Sequence, residues 1–172
     1  MSYVRIRPFR PEDAAAMYEV HRRAFDGRLD EARIAARLHA AGKDPVSLVA
    51  VTGDAVVGHV VFSPVTLDGP DADFAMVGLG PVGVLPERQG EGIGSRLIRE
   101  GLAVCRSAGY DAAVVLGHPA YYQRFGFERA SGYGLGNEYG VDDEFLVVSL
   151  RGSLMGAQAM VRYSAEFGDT GA

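Results

Sequence analysis

Between Pro81 and Leu102 the sequence reads PVGVLPERQGEGIGSRLIREGL, with five glycines on the approach to a helix and within it. Glycine inside a helix costs roughly 1 kcal/mol relative to alanine, so the stretch needs a compensating role. Ahead of it, Phe74 to Val84 reads as a long strand that contains Gly78, Gly80, Pro81 and Gly83. Glycine and proline inside a strand point to a bulge, a bend or a close backbone neighbour. Behind it, Ile93, Leu97, Ile98, Leu102 and Cys105 recur at helical spacing from Gly92 to Ala108, and Gly109 stops the helix. The loop Gln89-Gly90-Glu91-Gly92-Ile93-Gly94-Ser95 therefore joins a strand to a helix N-terminus. First-turn N–H groups have no intrahelical partner and lie at the positive end of the helix dipole. Glycines remove the side chains that would screen them. The combination suits an anion, best a phosphate or diphosphate.

The rest of the chain alternates strands and helices. Tyr3 to Arg7 reads as a first strand. Pro11, Glu12 and Asp13 open a helix carrying Ala14, Met17, Tyr18, His21, Ala24 and Phe25 at helical spacing, and Gly27 ends it. Asp30 is placed to cap a second helix, with Ile34 and Leu38 inward and Gly42 as the stop. Ser47 to Val51 and Val56 to Ser63 flank Thr52-Gly53-Asp54 as a hairpin, and Asp68-Gly69-Pro70-Asp71 forms another turn. Asp111 to Leu116 reads as a buried strand, Pro119 to Arg124 as a short helix, Phe145 to Leu150 as a strand, and Met160 to Tyr163 as a further one. With no repeat, low-complexity tract or linker, the expectation is a single α/β domain over residues 1–172.

Composition narrows the class. The chain has 172 residues, 48% hydrophobic and 23% charged, which is long enough and apolar enough for a real core. No run approaches the ~18 apolar residues of a membrane span, and Arg5, Arg7, Arg10, Glu12 and Asp13 break up any secretory leader. The single cysteine, Cys105, excludes an internal disulfide or a Cys-rich zinc cluster and fits a reducing cytoplasm. It lies on the apolar stripe of its helix, as a small buried hydrophobe. A net charge of −5 argues against a nucleic-acid partner. No metal site is expected.

Three phosphate-binding readings compete for the loop. A Walker A loop needs Gly-Lys-Ser/Thr, which does not occur. The spacing G-x-G-x-x-G occurs at Gly78, Gly80 and Gly83, but inside the strand instead of in a turn that opens a helix, so a dinucleotide fingerprint does not fit. The third reading rests on two motifs. Val84-x-Pro86-x-x-Gln89-Gly90-x-Gly92-Ile93-Gly94 resembles the Q/R-x-x-G-x-G/A acetyl-CoA signature of GNAT-type N-acetyltransferases. Downstream, Tyr121-Tyr122-Gln123-Arg124-Phe125-Gly126-Phe127 resembles their second motif, in the right order and separated by a helix and a strand. The stretches RPFRPEDA, SLVAV, VGHVVFSPV, LGPVGVLP and YYQRFGF are similar to the small bacterial YhbS-type members of that family. Two positions depart from the pattern: Leu116-Gly117-His118-Pro119 stands where many members carry an asparagine, and Glu91 puts a negative charge in the loop.

The resemblance implies an α/β (α+β) fold with a mixed central sheet of about six to seven strands, about four helices and a bulged strand splayed at the cofactor site. It implies direct transfer of an acetyl group from acetyl-CoA to a primary amine in a ternary complex, without a metal. Val82, Gly83, Val84, Gln89, Gly90, Glu91, Gly92, Ile93, Gly94, Ser95, Tyr122 and Phe125 are the implied CoA-binding residues, and Tyr122 the implied general acid. A phenol near pKa ~10 can protonate or hydrogen-bond a thiolate whose thiol has pKa ~8.5. An alkyl ammonium near pKa ~10 must also lose a proton. Glu31 and His59 are candidate bases, with His118 and Glu138 behind them. The partner is a small-molecule or protein amine, with no nucleic acid and no membrane, in a fold where homodimers are common. A non-catalytic acyl-CoA-binding sensor and an NAD- or ATP-binding domain are the competing readings.

Overall fold

Two-residue hairpins demand positive φ at the turn, and Gly53 supplies it with φ +60°. Around it, β2 (Val46–Thr52) and β3 (Ala55–Pro64) pair antiparallel, with Val49 opposite His59 and Thr52 opposite Ala55. The computed structural model describes residues 3–69, 73–154 and 157–168. The remaining elements are β1 (Arg5–Pro8), α1 (Ala14–Ala24) after a 3-10 turn at Pro11–Asp13, α2 (Asp30–Ala40), β4 (Thr66–Asp68), β5 (Met76–Val84), α3 (Ile93–Ser107), β6 (Ala112–Leu116), α4 (Pro119–Tyr122), β7 (Glu128–Arg129), β8 (Leu135–Asn137), β9 (Phe145–Ser149) and β10 (Ala159–Arg162). A mixed seven-stranded sheet has the order β1-β2-β3-β5-β6-β9-β7, and a three-stranded sheet the order β4-β10-β8. None of the described helices is long and apolar enough to cross a membrane.

The chain divides into two compact units. The first holds Met1–Ser63, Gly80–Gly101 and Ala165–Ala172; the second holds Pro64–Leu79 and Leu102–Ser164.

In the first unit, β3 shows how the two faces of the sheet are used. Successive strand side chains point to opposite faces. On one face, Val61 packs in a cluster with Ile34 and Leu38 of α2 and with Phe167. His59, two residues back on the same face, meets His21 of α1. On the other face, a methyl added at Gly58 would meet Leu97 and Ile93 of α3, and one at Gly101 would lie 2.3 Å from the Phe62 ring. Gly101 is therefore small because Phe62 occupies the space a larger residue would need. Phe62, Leu97 and Ile98 are fully buried, and each such side chain contributes about 1.5–3 kcal/mol by leaving water. Arg7 of β1 ties the strand to the entrance of α1. Its guanidinium donates to both carboxylate oxygens of Asp13, at 2.8 and 2.9 Å, and Asp13 also accepts from the Arg10 N–H at 2.8 Å.

In the second unit, β6 pairs antiparallel with β9 along its whole length and parallel with β5 over Met76–Gly78. That parallel ladder stops at Gly78, while β5 continues to Val84 and β6 to Leu116. The residues expected to disturb the strand, Gly80, Pro81 and Gly83, lie on the part of β5 beyond that ladder. Gly78 is small for another reason: a methyl there would lie 2.7 Å from the Tyr163 ring.

The structure adjusts two expectations. Asp30 is the first residue of α2 and not its cap. Leu29 occupies the cap position, and Asp30 and Glu31 form an acidic first turn, which the helix dipole favours. Three short strands, β4, β7 and β8, had no counterpart in the sequence reading. The turn expected at Asp68–Asp71 lies partly outside the described residues.

Candidate active site

The glycine loop leaves β5 through a 3-10 turn at Pro86–Arg88, where proline fixes the first φ. Gln89 folds its side chain back and donates from Nε2 to the Val84 carbonyl at 3.0 Å, fastening the loop to the end of β5. Gly90 and Gly92 then adopt φ +81° and +80°, a conformation that side chains rarely take up. The space into which a Cβ would point at either glycine is open. The first helical bond of α3 runs from Arg96 N–H to the Gly92 carbonyl at 3.1 Å. Ile93 and Gly94 therefore stand at the head of a 15-residue helix, ahead of that first bond.

Glu91 does not bring a bare negative charge to this loop. Arg88 donates to its carboxylate at 3.0–3.3 Å and to Thr52 Oγ1 at 2.9 Å. The pair neutralises itself and braces the loop against the β2–β3 hairpin. Arg96 is also engaged, donating to the Val4 carbonyl at 3.0 Å and pairing with Glu100 at 3.6 Å. Both guanidiniums beside the loop are thus already held by oxygen acceptors of the chain.

On β5, Val82 and Val84 are half-buried, and Gly83 between them is buried. A methyl at Gly83 would lie 2.8 Å from His21 Nδ1, so only glycine admits that ring. His21 Nε2 lies 2.8 Å from His59 Nδ1, and His59 Nε2 lies 2.8 Å from Ser47 Oγ. His21 and His59 are 0% and 1% exposed, whereas Ser47 is only half-buried. Burial pushes His21 down to about 4 and His59 well below the ordinary histidine range. The His21 ring opposes a charge on His59, Asp13 favours it, and His39 opposes it. Both rings are neutral near pH 7. His59 has both ring nitrogens occupied, one by His21 and one by Ser47. Glu31, in the first turn of α2, is half-buried, and its Oε2 is buried with no hydrogen-bond partner among the described residues.

In the second unit, Tyr122 ends the short helix α4 that Pro119 starts. Its ring meets Tyr121, Phe125 and Phe127 at centroid distances of 5.0, 6.2 and 5.7 Å. A methyl at Gly117 would lie 2.3 Å from Tyr122 Cε2, so Gly117 leaves room for the ring in its present pose. Burial, with a smaller contribution from Tyr121, pushes the Tyr122 phenol up to about 12. His118 caps α4, and Glu138 accepts from the Tyr163 N–H at 2.9 Å. The sequence reading placed His21 on an apolar stripe and passed over Ser47. The usable signal was a histidine within a stripe of Met17 and Val20, where a polar ring must find a partner.

These features sit in a chain that belongs to the acetyltransferase (GNAT) family, whose domain it matches over residues 5–130. The chain is similar to the uncharacterized N-acetyltransferase YhbS of Escherichia coli strain K12, at 36% identity over 160 residues, covering 91% of this chain and 94% of that one. It is also similar to the uncharacterized N-acetyltransferase YjhQ of the same strain, at 40% identity over 122 residues, covering 70% and 67% of the two chains. Among solved structures, YhbS from Escherichia coli in complex with CoA matches with TM-score 0.91 and 34% identity over 99% of this chain and 95% of that one. A GNAT family acetyltransferase from Brucella melitensis in complex with acetyl-CoA matches with TM-score 0.81 and 40% identity over 97% and 99%.

Proposed function

We propose that the chain is an acetyl-CoA-dependent N-acetyltransferase that acts on a primary amine. The observation that carries this reading is the open cradle at Gly90 and Gly92, at the head of α3. These residues fit a diphosphate. Their donors are main-chain N–H groups, their Cβ directions are empty, and Arg88 offsets the charge of Glu91. In this reading the coenzyme brings an acyl thioester, activated towards an amine nucleophile, and Gln89 to Ser95 hold its diphosphate. The amides of Val82 to Val84, on the part of β5 beyond its ladder with β6, hold the adjoining arm and polarise the acyl carbonyl. Phe125 supplies an aromatic surface to the coenzyme.

Tyr122 is assigned to the departing sulfur. A phenol near 12 keeps its proton throughout the neutral range. Full transfer to a thiolate of pKa ~8.5 is uphill by roughly 3–4 units, so the phenol acts as a hydrogen-bond donor to developing charge. Solvent then protonates the sulfur after release.

The test has two arms. A thermal-shift series with CoA, NAD and ATP reads ligand choice, since binding the native state alone raises apparent stability. CoA is expected to stabilise and the other two are not; stabilisation by NAD or ATP alone overturns the reading. Acetyl-CoA with a panel of primary amines, followed by free-thiol release, reads turnover. Binding without turnover for any amine would leave a coenzyme-binding module and refute the enzyme.

A further inference from the structure

Arg37 lies in the last turn of α2 and is half-buried, and its Nη1 is shut off from solvent with no hydrogen-bond partner among the described residues. The negative end of a helix dipole favours a cation there, but an exposed side chain would serve that end equally well. A buried nitrogen without an acceptor is costly, the more so when it carries part of a charge. Arg37 also lines a pocket of about 490 Å³, with Ala40 and Ala41 from the same helix end and Ala165 and Glu166 from a 3-10 turn at Ala165–Phe167. Two contacts hold these walls together. Phe167 packs on Ile34, Leu38 and Val61, and Lys43 Nζ donates to the Glu166 carboxylate at 3.0 and 3.4 Å. Ala40, Ala41 and Ala165 are exposed, so a small solute reaches the pocket from solvent. All of these residues belong to the first unit. Within that unit the pocket stands away from the glycine loop. The end of α2 lies beside the start of β2, since the His39 ring is 4.8 Å from Phe9, whose N–H donates to the Ser47 carbonyl. The loop meets the far end of β2, where Arg88 donates to Thr52. From Ser47 to Thr52 the strand runs roughly 17 Å.

We propose that this pocket is a second ligand site, separate from the glycine loop, for a small apolar α-amino acid whose carboxylate pairs with Arg37 and whose ammonium faces Glu166. The charges select that class. Lys43 offsets Glu166, which leaves the Arg37 guanidinium as the uncompensated charge. A carboxylate matches the guanidinium fork with two parallel hydrogen bonds. A phosphate dianion would carry one charge too many and would face both the Glu166 carboxylate and the negative end of α2. A zwitterion meets neither objection. Its ammonium is favoured by that same helix end and by Glu166, since a carboxylate offers about four lone-pair sites and Lys43 does not fill them all. The remaining walls, Ala40, Ala41 and Ala165, present methyl groups and suit a short apolar side chain. The volume lies within the ~300–1,000 Å³ of small-molecule sites. A bound amino acid would bridge α2 to the turn at Ala165–Phe167 and supply the counter-charge that the fold leaves out.

The test titrates the 15N-labelled full chain with L-alanine, L-valine and L-leucine, and in parallel with propionate and inorganic phosphate. At least one of the amino acids is expected to move the amides of Ala40, Ala41, Ala165 and Glu166 saturably while those of Gln89 to Ser95 stay still. Propionate and phosphate are expected to bind more weakly than that amino acid. Arg37→Gln is expected to lower the amino-acid affinity by about 10-fold or more, the range of a hydrogen bond to a charged group, and to leave the melting temperature of the ligand-free protein unchanged or higher, because it removes an uncompensated charge. Glu166→Gln is expected to weaken the amino acid and to leave propionate unchanged. No saturable shift with any of the three amino acids overturns the proposal. So does equal or tighter binding of propionate or phosphate, an unchanged affinity in Arg37→Gln, or loop amides that move together with those of the pocket. A lower ligand-free melting temperature in Arg37→Gln would assign Arg37 to the fold and overturn it as well.

Discussion

Acidification should destabilise this protein well above the range in which carboxylates titrate, because the fold holds two neutral histidines in its interior. His21 is pushed down to about 4 by burial, against an ordinary 6.5. His59 lies well below 6.5 for the same reason, with a further contribution from His21. Both folded pKa values are depressed, so the stability that the neutral rings provide is fully present above pH ~6.5 and is lost as pH falls from there towards about 4. For His21 each pH unit in that window removes about 1.4 kcal/mol, because the unfolded chain binds a proton that the folded one refuses. Between pH 7 and 5 the loss is about 2 kcal/mol for His21, and His59 adds to it in the same direction. A domain of ordinary stability has only ~5–15 kcal/mol in total. With a urea m-value of roughly 2 kcal/mol per molar, the His21 contribution alone should lower the unfolding midpoint by about 1 M. The assay is urea unfolding at both pH values for the wild type and for His21→Leu/His59→Leu. The double variant should lose much less between pH 7 and 5. An equal loss in both proteins, or a His21 ring that titrates near 6.5 in an NMR series, would refute the reasoning.

Three further outcomes follow from specific contacts. Gly101→Ala, in a helix interior, should ordinarily stabilise by roughly 1 kcal/mol. The added methyl meets Phe62 at 2.3 Å, so it should instead destabilise by about 1–3 kcal/mol in a denaturant melt. Tyr122→Phe should leave CoA affinity by calorimetry within about twofold and lower kcat by about 10- to 100-fold, the range of a hydrogen bond to a charged group; unchanged kcat would remove Tyr122 from the reaction. Cys105 is buried and its thiol is pushed up to about 12, so an aromatic disulfide reagent at pH 8 should modify it only after denaturation.

Much of the architecture was legible from sequence because periodicity and punctuation agreed. Gly53, Gly109 and the Pro11 and Pro119 helix starts mark turns and ends that the structure also shows. The ladder between β5 and β6 stops where glycine and proline enter the strand. Short strands escaped because two or three residues such as Glu128–Arg129 carry no period to read. The loop residues were visible as a pattern, but the ion pair that compensates Glu91 was not, since Arg88 reaches both Glu91 and Thr52 only in three dimensions. The histidine array was invisible for a similar reason. His21, Ser47 and His59 are far apart in sequence, and the glycine that admits His21, Gly83, was read only as a disturbance of the strand.

The most direct check on the central claim is to follow the amide resonances of residues 89–95 while adding CoA and, separately, pantetheine, which lacks the diphosphate. If main-chain donors at the head of α3 hold the diphosphate, CoA moves the Gly90 to Ser95 amides and pantetheine leaves them nearly still. Saturating CoA that binds without shifting those amides, or pantetheine that shifts them as strongly, would contradict the account.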